Sequence, residues 1–333
     1  MQYFMKSLNG KKVLLFSPHF FGYEKEITAE LIRSGAEVDF FPDRPFQSSL
    51  MKAITRVKRD LILWYADRFY WRALHSLGRA NYDYILVIQG EGLSPNFLFN
   101  LRITYPNAKF ILYMWDSFEN KKSLLKNIEH FDSCFIFDPF DAVKYGLHFR
   151  PLFYSGGINK NDDEKYEYDI SFVGTAHSDR YLIASQVEAS LPSSMTIYKY
   201  LYLQAPWMFW IHKFGNNAFK GARVDEFKFT PINKLELQGI FAASRSVLDI
   251  EHPKQNGLTM RTFETLANQK KLITTNANIL DYDFYNPKNI FVIDRKKVPA
   301  IPTQFFTEPY SQLSDDLNYK YSLTGWMDEV LNT

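Results

Sequence analysis

The sequence predicts an α/β protein of two doubly wound domains, each a parallel sheet with helices on both faces. Three observations carry that reading. Short apolar runs alternate with helical patterns through the first half, the mark of a parallel sheet covered on both sides. A charged, turn-rich break near residues 156–167 interrupts the alternation, which restarts at Ile170. Late in the second half, strand, polar loop, helix and strand follow one another between Val247 and Thr275, a complete βαβ unit.

The elements follow in order. Val13 to Ser17 is the first strand, and Glu24 to Arg33 a helix ended by Gly35, the residue type that caps helix C-termini. Val38 to Phe41 is the second strand, followed by a long helical region from about Ser48 to Leu77. Tyr84–Gln89, Phe110–Trp115 and Cys134–Asp138 read as strands three to five. Helices over Pro95–Leu101, Ser123–Ile128 and Ala142–Tyr145 lie between and after them. Gly156-Gly157 and the polar run Asn159–Glu167 form the linker.

The second half opens on the strand Ile170–Val173 with Gly174-Thr175 read as the loop at its end. Ile197–Phe219 reads as an ordinary strand plus an aromatic helix, and Lys234–Ala243 as a helix leading to the Val247–Ile250 strand. Leu272–Thr275 and Ile290–Ile293 are the last strands. The Pro-bearing stretch Val298–Pro309 is expected to cross the surface, and residues 311–331 to form a terminal helix.

Composition narrows the function classes. The 333 residues allow two domains of ordinary size, and 46% apolar content suits a packed protein. Rings make up 17% of the chain, mostly core material, although sugar-handling proteins also stack them on pyranose faces. A net charge of +2 gives no global field for nucleic acid. The lone Cys134 and the absence of a charged-then-apolar leader lead to the expectation of a cytoplasmic protein. No apolar run reaches the ~20 residues of a membrane helix.

The loop between Val247–Ile250 and the helix starting near Thr259 carries His252, Gln255, Asn256, Gly257 and Leu258. Such a loop lies at the carboxyl end of a parallel sheet, where ligands bind, and N–H groups at the helix start suit a phosphate. Gly257 lets backbone approach a ligand, and Glu264, one turn into the helix, is placed to accept hydrogen bonds from a ribose diol. Arg261 is placed either to pair with Glu264 or to reach a diphosphate. A helix packed by Met260 and Phe263, with an ordinary Arg–Glu pair at i, i+3, accounts equally well for the spacing.

The stretch from Gly257 through Leu258, Arg261, Phe263, Glu264, Leu266 and Ala267 to Thr274 resembles the donor-site motif of GT-B glycosyltransferases. It looks most like the CgeB-like group, which is similar to family 4 enzymes. The resemblance implies two Rossmann-like domains whose parallel sheets face a central cleft. Residues 1–155 would bind acceptor, 156–168 link, 169–310 bind the nucleotide sugar, and 311–333 return a last helix to the first domain. It implies that Glu264 holds the nucleotide ribose, that Gly174, Thr175, Arg180 and Arg261 lie near the diphosphate, and that His252 to Leu258 lie near the sugar. For Gly174 a tight strand-to-helix turn, and for Arg180 a surface position, remain open as plainer readings. Many family 4 enzymes carry a second Glu eight positions before the ribose Glu. Asn256 stands there instead, which leaves retention or inversion open.

In the first domain, residues just past strand ends face the ligand side. These include His19, Gly22 and Tyr23, then Gln89, Gly90 and Glu91, then Asp116 and Ser117. His19, Glu91 and Asp116 are the candidates for a base that deprotonates an acceptor hydroxyl; singly, each also suits a turn or cap. No G-x-G-x-x-G, G-x-x-x-x-G-K-[ST] or G-x-S-x-G motif occurs, and no His or Cys pair has metal spacing, so no metal is expected. Arg56 to Arg79 interleaves Arg and Lys with rings, a pattern suited to an anionic membrane surface or to a helix with one solvated and one core face.

The expected activity is transfer of a sugar from a nucleotide-sugar co-substrate, with no metal or other cofactor. The acceptor is expected to be a glycan or lipid-linked oligosaccharide of bacterial surface polysaccharide, O-antigen, capsule or lipopolysaccharide, at or near the inner face of the cell membrane. A nucleotide-sugar epimerase of the same fold and a catalytically silent sugar-nucleotide or glycan-binding protein are the two rivals.

Overall fold

The computed structural model describes residues 8–45, 59–79, 81–156 and 166–332, with backbone alone at 59–62. The expected linker residues 157–165, and Arg56 and Lys58 of the basic helical region, lie outside the described residues. The chain divides into two compact units, one reaching to Leu152 and taking back the chain from Tyr319, the other running from Phe153 to Asn318.

The first unit is built on six parallel strands: β1 (Lys12–Ser17), β2 (Glu37–Pro42), β3 (Tyr84–Ile88), β4 (Lys109–Met114), β5 (Ser133–Ile136) and β6 (His148–Phe149). Their spatial order is β2-β1-β3-β4-β5-β6. β1, β3 and β4 are covered on both faces, so Val13–Phe16, Ile85–Ile88 and Phe110–Met114 are uninterrupted buried runs. The helices are α1 (Tyr23–Arg33), α2 (Arg59–Leu77), α3 (Pro95–Thr104) and α4 (Pro139–Tyr145); the expected Ser123–Ile128 helix is a 3-10 segment over Lys122–His130. Local chemistry sets their ends. Ser94 accepts from the Phe97 N–H with Pro95 in the first turn, and Asp138 caps α4 the same way. Gly146 closes α4 in the left-handed region.

The second unit has β7 (Tyr168–Thr175), α5 (Arg180–Ser190), β8 (Ile197–Tyr202), α6 (Pro206–Gly215), β9 (Phe227–Lys228), α7 (Lys234–Ala242) and β10 (Ser244–Asp249). After these come α8 (Met260–Ala267), β11 (Lys271–Thr274), β12 (Ile290–Val292) and α9 (Thr303–Thr307). The strand order is β12-β11-β10-β7-β8-β9, all parallel. Chain order therefore reverses between β7 and β10, as it does between β1 and β3 in the first unit. Alternate residues of the central strands feed opposite cores: Phe172 and Leu248 pack with Phe209 and Phe219, Val173 and Val247 with Leu237 and Phe241. The α/β prediction with two doubly wound parallel sheets matches this architecture.

Three local expectations need correction. Gly174 and Thr175 are the last residues of β7, not a loop after it, because both still pair with β8 through Leu201 and Tyr202. The stretch Val298–Pro309 does not merely cross the surface: α9 sinks Phe305 and Phe306 into the core. The terminal segment is two helices, α10 (Asp315–Tyr321) and α11 (Leu323–Asn332). The Ser322 hydroxyl accepts from the Gly325 N–H at 3.0 Å and so starts α11 afresh. α11 buries Trp326, Met327 and Val330 completely, with the Trp326 ring edge-on to Tyr113 at 4.7 Å.

Candidate functional site

In the second unit the polar side chains gather at the carboxyl ends of β7, β10, β11 and β12, around the reversal of strand order where doubly wound sheets bind ligands. Arg180 begins α5 and turns back over the sheet edge. Its Nε donates to the Ile250 carbonyl at 2.6 Å and its Nη1 to the Thr175 carbonyl at 3.2 Å, so it clamps the β7 and β10 ends together. Arg180 is thus pinned and half-buried rather than a surface residue. Burial lowers its pKa, with the Asp249 and Glu251 charges opposing; a guanidinium there stays charged. Arg261 approaches the same strand end, with its Nη2 3.4 Å from the Val173 carbonyl. Gly174 therefore lies between two arginine-marked carbonyls. A Cβ at Gly174 would stand 3.2 Å from the Phe172 ring and 3.5 Å from Arg180 Nη1, so glycine lets both groups pack close against the end of β7.

α8 is anchored from below. Thr259 caps it, accepting from the Arg261 N–H at 3.1 Å. The hydroxyls of Thr259 and Thr262 both donate to Asp249 Oδ2, at 2.7 and 2.8 Å, which ties the helix start to the end of β10. Glu264 stands one turn in and accepts from Arg261 Nη1 at 2.7 Å, so the ordinary i, i+3 pair does form. Glu264 also lines a surface hollow with Lys234, Gln238, Phe241 and Asn268.

The loop before α8 is held by its neighbours. Asn276 and Asn278 each donate from Nδ2 to the Asn256 carbonyl, at 3.1 and 3.0 Å. Gln255 donates to the Gly257 carbonyl at 2.9 Å, and Leu258 is buried. His252 faces His177 with ring centroids 5.5 Å apart. Burial and the Arg180 charge push His177 down to about 4, and the same causes lower His252, so both rings are neutral at neutral pH.

Beneath them is a residue that sequence reasoning missed. Arg295, just past β12, takes both Asp179 oxygens at 2.6 and 2.7 Å through Nη1. Its Nη2 donates to the Glu251 carbonyl at 2.8 Å, to Thr275 Oγ1 at 3.1 Å and to the Glu251 carboxylate. These partners follow β7, β10 and β11, so one guanidinium ties four strand ends. The rule that singled out residues past the other strand ends also applies to Arg295 and finds it; His177, past β7, is found the same way.

In the first unit the three expected residues fall into two groups. Glu91 pairs with Arg44 and Lys121, and the Lys121 ammonium lies 3.9 Å from Asp116 Oδ2, so Glu91 and Asp116 share one cation. Burial acts to raise the Glu91 carboxyl, but the Lys121 and Arg44 charges outweigh it and hold it below its ordinary range. Asp116 also accepts from the Ser117 N–H and Asn120 Nδ2, each at 2.9 Å. His19 stands with Glu24 instead: Nδ1 is 3.2 Å from Glu24 Oε1, and the Phe20 N–H donates to Oε2 at 3.2 Å. Glu24 is buried in the first turn of α1. Among the described residues no group of three or more His, Cys, Asp or Glu side chains is placed to hold a metal ion.

No protein-family model matches the sequence, and no curated protein matches it significantly. Solved structures do match in three dimensions. A glycosyltransferase from Rickettsia africae aligns with a TM-score of 0.50 at 13% identity, over 97% of this chain and 94% of that one. The HepE protein of Anabaena, in complex with UDP and glucose, aligns with a TM-score of 0.51 at 11% identity, over 96% and 94%. The chain has the GT-B fold. Both alignments run through both units, so each of the two GT-B sheets is matched.

Within that GT-B frame the second unit offers chemistry for an anion and a diol. Two guanidiniums flank Gly174, and a carboxylate sits one turn into the helix starting at the strand reversal. The first unit offers a carboxylate-supported imidazole and a separate, cation-neutralised acidic pair.

Proposed function

We propose that the chain is a glycosyltransferase that takes its sugar from a nucleoside-diphosphate sugar, with the donor held by the second unit and the acceptor by the first. The observation that carries this is Gly174 set between the carbonyls reached by Arg180 and Arg261, with Glu264 on the same helix as Arg261. A diphosphate seated there meets two fixed cations and the start of α8, which stabilise the leaving group as its charge develops. Glu264 accepts from the ribose diol, and the loop from His252 to Leu258 shapes the sugar pocket. UDP is the first nucleotide to try, because the HepE structures contain it.

His19 is the base this geometry favours over Glu91 and Asp116. Glu24 fixes the Nδ1–H tautomer and leaves Nε2 to accept the acceptor's proton. Glu91, locked between two cations, is a poor base. The acceptor is a glycan or lipid-linked oligosaccharide of the bacterial surface type. α2 exposes Trp64 and Tyr65 beside Arg68, whose guanidinium lies 4.9 Å over the Trp64 ring, a face suited to an anionic membrane. No described helix is long and apolar enough to cross a membrane.

Thermal-shift titration of wild type and Glu264→Ala with UDP, other nucleoside diphosphates and their sugars tests the reading. One nucleotide family raising the melting temperature of wild type alone supports it. No shift in a folded protein overturns it. Binding without transfer to any glycan would leave the silent-binder reading, and donor turnover without acceptor the epimerase.

A further inference from the structure

α6 is apolar on both of its faces. Phe209 points inward and packs with Phe219 and Phe227, and the His212 ring stacks on Phe219 at 4.9 Å. The opposite face carries Trp207, Trp210, Ile211 and Phe214, spaced i, i+3, i+4, i+7 and so aligned in one stripe. These four are 62%, 50%, 60% and 82% exposed. A water-facing stripe of two Trp, an Ile and a Phe is what a partner of α6 would cover.

The charges around the stripe identify that partner. α6 holds no Asp or Glu, and residues 206–228 carry four Lys and Arg against two carboxylates. Both carboxylates are engaged, Asp225 by Arg223 and Glu226 by Tyr181. Lys220 and Lys228 are exposed. Two copies meeting through this stripe would bring like charges together. Tryptophans that lie at a headgroup boundary, an aliphatic and a phenyl ring that reach deeper, and a lysine rim match an anionic bilayer surface.

We propose that α6 is an interfacial membrane anchor that lays Trp207, Trp210, Ile211 and Phe214 into an anionic lipid surface. It is separate from the α2 face and does not depend on the transferase reading, since vesicle binding needs neither nucleotide nor acceptor. The test is co-sedimentation of the full chain with phosphatidylglycerol–phosphatidylcholine vesicles, against phosphatidylcholine alone. Wild type pellets with the anionic vesicles. Trp210→Ser/Phe214→Ser loses about tenfold or more in partitioning and still unfolds cooperatively in thermal melts, since neither ring belongs to the buried core. Lys220→Gln loses roughly fivefold. Brominated acyl chains quench tryptophan fluorescence in wild type, and less in the Trp210 variant. The proposal is overturned if wild type stays in the supernatant. It is equally overturned if Arg68→Glu/Arg72→Glu on α2 abolishes binding while the α6 variant binds as wild type, or if the α6 variant dissolves a solution dimer instead.

Discussion

Arg261 and Glu264 stand three residues apart on α8 and meet at 2.7 Å, while the same guanidinium lies 4.8 Å over the Phe241 ring. The pair is only partly covered, so it contributes little to stability in the free protein. The pair leaves Arg261 turned toward the end of β7 and Glu264 lining the hollow beside Lys234. Glu264→Ala is therefore expected to change the melting temperature by no more than a degree or two, about 1 kcal/mol at most. Nucleotide affinity should fall by roughly tenfold or more, the worth of a charge-assisted hydrogen bond of about 1.5–3 kcal/mol. Isothermal titration with UDP on both proteins reads the difference. Equal affinity would remove Glu264 from the site.

Two buried groups give opposite pH trends. Asp43 accepts from the Gly92 N–H at 3.1 Å and is fully buried, and its Oδ2 has no hydrogen-bond partner among the described residues. Burial raises its carboxyl from 3.8 to about 7. The unfolded chain gives up that proton near 4, so between about 4 and 7 the native state binds more protons and stability falls as pH rises. His177, lowered from 6.5 to about 4, acts the other way. Across about 4 to 6.5 the unfolded chain holds the extra proton, and stability rises with pH. Urea melts across pH 4–8 should separate them: Asp43→Asn removes the falling component and His177→Gln the rising one. An Asp43→Asn profile that overlays wild type would mean that the carboxyl is already ionised in the native state.

The parts of this chain that were legible in the sequence are those where one physical cause dominates. Val13–Ser17, Tyr84–Gln89 and Phe110–Trp115 are covered on both faces, so nothing polar interrupts them and the apolar runs mark each strand to within a residue. Two-residue strands such as β6 and β9 have too little pattern to register. α9 hid behind flanking prolines, although its Phe305-Phe306 pair was the sign that the stretch is buried. In the site, the α8 motif was readable because cap, helix and strand are contiguous. The Arg295 tie was not read, because its partners lie 116, 44 and 20 residues away in sequence.

The terminal helix carries a stability prediction. Arg150 is wholly buried in the first unit, donates to the Lys320 carbonyl and pairs with Glu329 at 2.8 Å. With Trp326, Met327, Val330 and Leu331 also buried, removing residues 319–333 strips several large side chains from the first core, each worth about 1.5–3 kcal/mol. Truncation after Asn318 should leave the first unit unfolded, visible as lost amide hydrogen-exchange protection in β1, β3 and β4. Trp326→Ala alone should cost about 3–5 kcal/mol. Intact protection in the truncated chain would show that the sheet is stable without its C-terminal helix.

The His19–Glu24 pair yields the sharpest catalytic prediction. A base oriented by a buried carboxylate loses its tautomer and its support when that carboxylate becomes an amide, while the fold keeps its shape. Glu24→Gln should therefore lower kcat by about 10²-fold or more with KM nearly unchanged, and His19→Ala should do at least as much. Glu91→Gln should act differently. It frees Lys121 and Arg44 from their shared carboxylate, so its effect should fall on KM for the acceptor. Initial rates measured across both substrates distinguish the two patterns. A Glu24→Gln enzyme with wild-type kcat would assign acceptor deprotonation to another group or to a mechanism that needs no protein base.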